Sequence, residues 1–229
     1  TANITQATLQ VLVNSDAKFV SVADPANFNG VSLSGFLAGD GLADVVIGAY
    51  TSNTSAGNGA GRSYVVFGKA GNTNTVDLST FIAGTSTEGF VINGQSASEQ
   101  SGFVVSNAGD INGDGLSDLI VGAPGTNAWS GKSYVVYGRT SGTLVQLSHI
   151  AAGTGGFAIL GESDGDQSGN SVSAAGDING DGFADLLVGA PGVDVGSNTD
   201  AGRAYVIFGG QQDRSVVDFL GTASANSLT

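Results

Sequence analysis

The chain has 229 residues, seven lysines and arginines against twenty aspartates and glutamates, and a formal net charge of −13. So acidic a surface excludes nucleic acid and anionic membranes as natural partners and suits divalent cations. Cysteine is absent, which rules out disulfides and thiolate metal sites, and no stretch of about 18 apolar residues offers a membrane-spanning helix.

The hydrophobic share, 41%, is enough to build a core, and 38 glycines with only three prolines and no triplet period read as turns between many short strands. Short apolar runs between Gly/Asn/Ser clusters have the pattern of strands, and few segments have helical periodicity. The fold class is all-β.

In chain order, residues 1–30 fit no later pattern, although ATLQVLVN (7–14) alternates as a strand does. The start, TANITQATLQ, lacks the features of a signal peptide and has no Met, so a processed or excised chain is expected. From residue 31 the sequence repeats. GLADVVIGAY ends at Tyr50, GLSDLIVGAP at Pro124 and FADLLVGAP at Pro191, 74 and 67 residues apart. Each is followed by a second strand: GRSYVVFG (61–68), GKSYVVYG (131–138) and GRAYVIFG (202–209). A third element recurs as GFVING (89–94) and GFAILG (156–161), and a fourth precedes the acidic stretch as SGFVVSNAG (101–109) and SGNSVSAAG (168–176). Four strands in a unit of this length fit one blade of a β-propeller. The units are expected at about 31–94, 95–161 and 162–229, the last incomplete, after a non-repeat segment at 1–30.

Two copies carry DINGDG followed by an apolar run. Numbered from Asp110, side-chain oxygens fall at positions 1 (Asp110), 3 (Asn112), 5 (Asp114) and 9 (Asp118), and Leu116 at position 7 would offer its carbonyl. The second loop repeats the set with Asp177, Asn179, Asp181, the Phe183 carbonyl and Asp185. Alternate oxygens on a tightly curved backbone point at one centre, and hard oxygens in that number suit Ca²⁺, so two Ca²⁺ sites are expected. A solvated Asx-turn loop is the plainer reading of one such stretch, but two copies with one ligand order favour metal. An EF-hand is excluded, because position 12 is Val121 or Val188 and a Gly/Pro-containing strand follows. In the first copy, alignment puts Asp40 at position 5, Ala38 at 3 and Phe36 at 1, so that blade should bind Ca²⁺ weakly or not at all.

Tyr64, Phe67, Tyr134, Tyr137, Tyr205 and Phe208 occupy equivalent positions and read as packing between blades; Arg62, Lys132 and Arg203 also coincide and should pin a neighbouring loop or blade. His149 stands without a nucleophile or a second His, so no catalytic constellation is expected and the chain is read as a non-enzyme. Trp129, in the polar loop GTNAWSGKS, offers a face for stacking on a ligand; loop packing is its other role.

The repeat resembles the FG-GAP repeat of integrin α-subunit propellers and related bacterial surface proteins, over roughly residues 31–215. Gly102-Phe103 stands for the FG, becoming Gly169-Asn170 in the third copy, and Gly122-Ala123-Pro124 and Gly189-Ala190-Pro191 for the GAP; Gly48-Ala49-Tyr50 departs from it. The resemblance implies a calcium-stabilised module of a secreted or cell-surface protein, used for adhesion, matrix contacts or self-assembly. Its partner would be a protein, a glycan or another copy, met on the face away from the calcium loops, at 51–60, 94–100, 125–131, 161–168 and 192–201. An accessory domain of a larger extracellular enzyme is the alternative. Three blades are too few to close a ring. Closure is therefore expected from a longer parent chain, or from another subunit whose strand 7–14 completes the third blade, joining copies into a ring or filament.

Overall fold

The structure, a computed structural model, describes residues 31–32, 44–68, 76–126, 128–139, 143–210 and 216–218. Three sheets follow one another along the chain, and each is a blade of the expected kind. The first is built from β1 (Val31–Ser32), β2 (Val45–Ala49), β3 (Arg62–Val66) and β4 (Gly89–Asn93). The second has β5 (Val104–Gly109), β6 (Asp118–Ala123), β7 (Lys132–Val136) and, after a connector containing β8 (Val145–Gln146), β9 (Gly156–Leu160). The third contains β10 (Ser171–Gly176), β11 (Asp185–Ala190) and β12 (Arg203–Ile207). Within each blade the strands pair antiparallel in sequence order.

A feature that the repeats do not announce ties consecutive blades together. β8, in the connector of the second blade, pairs in parallel with β4 of the first. β13 (Val216–Asp218), which follows β12, pairs in parallel with β9 of the second. Each connector thus reaches back to cover its predecessor's outer edge, which would otherwise present unpaired backbone groups. Two connectors then make a short helix, α1 (Ser79–Ile82) and α2 (Leu147–Ala151), that lays Phe81 or Leu147 and Ile150 onto its own blade. The described part of the third connector, β13, pairs with its preceding blade as β8 of the second connector does. The candidate closing strand 7–14 lies outside the described residues.

The core lies between blades. Val46, Val65, Phe90 and Ile92 of the first blade pack against Val105, Leu119, Val121, Tyr134 and Val136 of the second. One repeat later, Ile120, Val135, Phe157 and Ile159 pack against Val172, Leu186, Val188 and Ile207 of the third. Each fully buried side chain of this size contributes about 1.5–3 kcal/mol. The third blade's equivalents of the first row, Leu187 and Val206, are 38% and 43% exposed, because among the described residues no blade follows. Of the six aromatics assigned to packing, Tyr64 and Tyr134 belong to buried clusters and Phe67, Tyr137 and Tyr205 pack at their margins. Phe208 is the exception, exposed at the same open face.

The two glycine motifs explain each other. A Cβ on Gly48 would collide with the carbonyl of Gly102, and one on Gly122 with that of Gly169. The motif glycine of one blade therefore admits the backbone just before the next blade's first strand, where Gly102 and Gly169 take φ of 81° and 82°, a region that glycine enters at little cost.

Candidate metal centre

A bulge prepares each acidic loop. The β5–β6 register shifts between Asn107 and Gly109, and the β10–β11 register between Ala174 and Gly176. The glycine in each takes a left-handed φ, 70° and 72°, and turns the chain out of the sheet. The loop that follows joins the first and second strands of its blade, as the repeat pattern requires.

Inside the loop the first aspartate organises the backbone. Asp110 Oδ1 accepts the N–H groups of Gly113 (2.7 Å) and Asp114 (3.1 Å), and its Oδ2 accepts that of Gly115 (2.9 Å). Asp177 does the same with Gly180 (2.7 Å), Asp181 (3.1 Å) and Gly182 (2.9 Å). Asn112 Oδ1 accepts from Asp114 N–H, and its amide donates to Asp114 Oδ2 at 2.9 Å; Asn179 and Asp181 repeat both contacts. Positions 1, 3 and 5 are thus drawn together on one side of a curved backbone, with position 5 exposed in both loops. The donors are carboxylate and amide oxygens, the set that a hard cation with six to eight ligands takes. A cation there would replace the amide-to-carboxylate contact. Among the described residues no three acidic or histidine side chains are gathered closely enough to hold a metal by themselves.

Position 9 has a role that the ligand pattern concealed. Asp118 is fully buried and accepts from Ile111 N–H at 2.9 Å and from Gly138 N–H at 2.7 Å. Asp185 accepts from Ile178 (2.7 Å) and Gly209 (2.9 Å). Asp44, in the first blade, accepts from Gly68 at 2.8 Å. In all three blades this carboxylate clamps the start of the second strand to the end of the third. The sequence carried a signal for this, since Asp44 is kept where positions 1 and 3 are apolar. Burial pushes the Asp118 carboxyl up to about 6 against the pull of its two N–H donors, and the charges of Asp114 and Asp110 add to the rise. Phe36, Ala38 and Asp40 lie outside the described residues.

At the opposite end of the blades the coincident cations diverge. Arg62 Nε donates to Asn93 Oδ1 of its own blade (3.0 Å), Lys132 lies over the Tyr134 ring, and Arg203 pairs with Glu162 at 2.8 Å across the blade boundary. Sequence reading missed Glu99, which is fully buried. It accepts from the Tyr134 hydroxyl and from the N–H groups of Gln95 and Ser96, fixing the loop between blades. Burial raises Tyr134, and the Glu99 charge adds to the rise, so its hydroxyl stays a donor. The signal was the recurrence of EQSG (99–102) as DQSG (166–169). Trp129 is 47% exposed and its carbonyl accepts from Gln167 N–H at 2.7 Å, so it caps the boundary with the third blade while leaving its ring open. His149 sits exposed in the last turn of α2.

A family model described as FG-GAP repeat matches residues 101–136 and 168–207. The chain carries FG-GAP repeats. These FG-GAP units are the second and third blades from their first strand through their third, each with its acidic loop inside. Phosphatidylinositol-glycan-specific phospholipase D of Rattus norvegicus is 39% identical over 49% of this chain and 14% of its own length. Integrin alpha-5 of Xenopus laevis is 28% identical over 84% of this chain and 18% of its own. Integrin alpha-4 of the same organism is 27% identical over 67% and 13%. The chain therefore spans less than a fifth of each of these relatives.

Proposed function

We propose that this chain is a non-enzymatic, calcium-stabilised propeller module of a secreted or cell-surface protein, making adhesive, matrix or self-assembly contacts. The observation that carries the reading is the pair of acidic loops. They have one donor order and one hydrogen-bond pattern, and they join the same two strands of two FG-GAP blades. Asp110, Asn112, Asp114 and the Leu116 carbonyl, with Asp118 behind them, would hold one ion; Asp177, Asn179, Asp181, the Phe183 carbonyl and Asp185 would hold the other. The bound ion would neutralise carboxylates that otherwise repel one another, and so would stabilise the strand pair that each loop joins. No helix among the described residues is long and apolar enough to cross a membrane. Partner contacts would fall at the other end of the blades, where the 161–168 and 192–201 loops shape an acidic cleft lined by Glu162, Asp164, Asp166 and Asp194 with Arg203, and where Trp129 is exposed.

A second reading, an accessory domain of a larger extracellular enzyme, is favoured by the 39% identity to the phospholipase D. Thermal unfolding in calcium, magnesium and EDTA tests the first. A site with a Kd of about 10⁻⁴ M in 10 mM Ca²⁺ adds about 2.7 kcal/mol, so calcium should raise Tm and the Asp114→Ala/Asp181→Ala pair should abolish the rise. Equal melting in calcium and EDTA would sink the metal reading, and hydrolysis of a phosphatidylinositol-glycan by this chain would sink the non-enzymatic one.

A further inference from the structure

The two acidic loops share a sequence but not a setting. Ile111 of the loop at 110–118 is fully buried among residues of the third blade, whereas its equivalent Ile178 in the loop at 177–185 is 55% exposed. The third blade also holds the first of these loops by its backbone. Asp110 carbonyl accepts from Ala184 N–H (3.1 Å), and Ile111 carbonyl accepts from Gly210 N–H (2.9 Å). The ring of Phe183 lies on Gly113, in space that a Cβ there would need, and the Ala184 methyl lies likewise on Gly109.

Phe183 and Ala184 are positions 7 and 8 of the other loop, immediately before Asp185. The segment that grips the first loop is therefore the segment that the second loop must place to close on its own ion. We propose that the two cation sites are coupled through Phe183 and Ala184: an ion at 177–185 fixes this segment and tightens binding at 110–118, and the reverse holds by reciprocity. The loop at 110–118 is also the tighter of the two, because the third blade has already ordered it, and less ordering remains for the ion to impose. This inference rests on the calcium reading of both loops.

Calorimetric titration of the full chain with calcium tests it, with circular dichroism confirming the β fold of each variant. Wild type should take up two ions. The first ion should enter 110–118 while 177–185 is empty, so Asp181→Ala, which disables only the third-blade loop, should keep one ion with about the constant of the first wild-type step. Asp114→Ala should keep one ion at 177–185 with a Kd at least about fivefold weaker than the second wild-type step, because the partner loop can no longer be filled first. Phe183→Ala, which leaves every ligand in place, should take up two ions with the second step weakened toward the Asp114→Ala value, and Phe183→Leu, the residue type found at Leu116, should recover most of the loss. Two ions in wild type, with Asp114→Ala binding its one ion as tightly as the second wild-type step, would overturn the coupling and leave the calcium reading standing. No uptake by wild type at millimolar calcium would overturn both.

Discussion

One valine occurs at the same place in each blade, and truncating it three times measures how the blades are covered. Val65 and Val135 are fully buried, facing the next blade, while Val206 is 43% exposed. Val→Ala removes two carbons, worth about 0.8 kcal/mol each when buried. At Val65 and Val135 the rigid neighbouring sheet leaves a cavity and adds to that, for a total of about 2–3 kcal/mol. At Val206 about half the transfer free energy is already forfeited and no cavity forms, so the cost should stay below about 1 kcal/mol. The loss of β propensity is common to the three sites and cancels in the comparison. Urea unfolding at low protein concentration and fixed calcium reads the difference. With an m-value of about 1–3 kcal/mol/M, the Val135→Ala midpoint should fall below the Val206→Ala midpoint by roughly 0.5–1.5 M. Equal losses at Val135 and Val206 would show that the outer face of the third blade is covered in solution, and the exposure argument would fail.

Further outcomes follow from the same geometry. Gly122→Ala should destabilise more than Gly189→Ala, because the first meets the backbone of Gly169 and the second only the movable Ser171 hydroxyl; equal melting temperatures would contradict this. Glu99→Ala should cost about 3 kcal/mol in urea unfolding, since it strips several buried donors of their acceptor, and a loss under about 1 kcal/mol would refute the network. In EDTA the Asp118 carboxyl, raised from 3.8 to about 6, stabilises the fold fully below pH 3.8 and loses that contribution as pH rises through 6. The urea midpoint should therefore fall between about pH 3.8 and 6.5 and level off above that, and Asp118→Asn, which has no proton to lose, should flatten that fall.

The strands were legible because the chain states its pattern three times. DVVIGA, DLIVGA and DLLVGA leave no ambiguity about β2, β6 and β11, and the acidic loops fall between the strands that the repeat assigned. The connectors were less legible. α1 and α2 are four and five residues long, too short for helical periodicity to register, and β8 is a strand only because β4 offers it an edge. Position 9 was half legible: its carboxylate was read as a ligand, but its clamp on Gly68, Gly138 and Gly209 depends on which backbone groups the next strands bring to it. The burial of Glu99 came from tertiary contact that a polar loop sequence does not advertise. How residues 1–30 relate to the third blade concerns a segment outside the described residues.

A crystal structure grown in calcium tests the central claim most directly. The account predicts two density peaks with oxygen ligands at about 2.3–2.6 Å, one among Asp110, Asn112 and Asp114, the other among Asp177, Asn179 and Asp181, with the Asn112 amide released from Asp114. Loops that keep the Asn112–Asp114 and Asn179–Asp181 hydrogen bonds in millimolar calcium, with no peak between them, would contradict it.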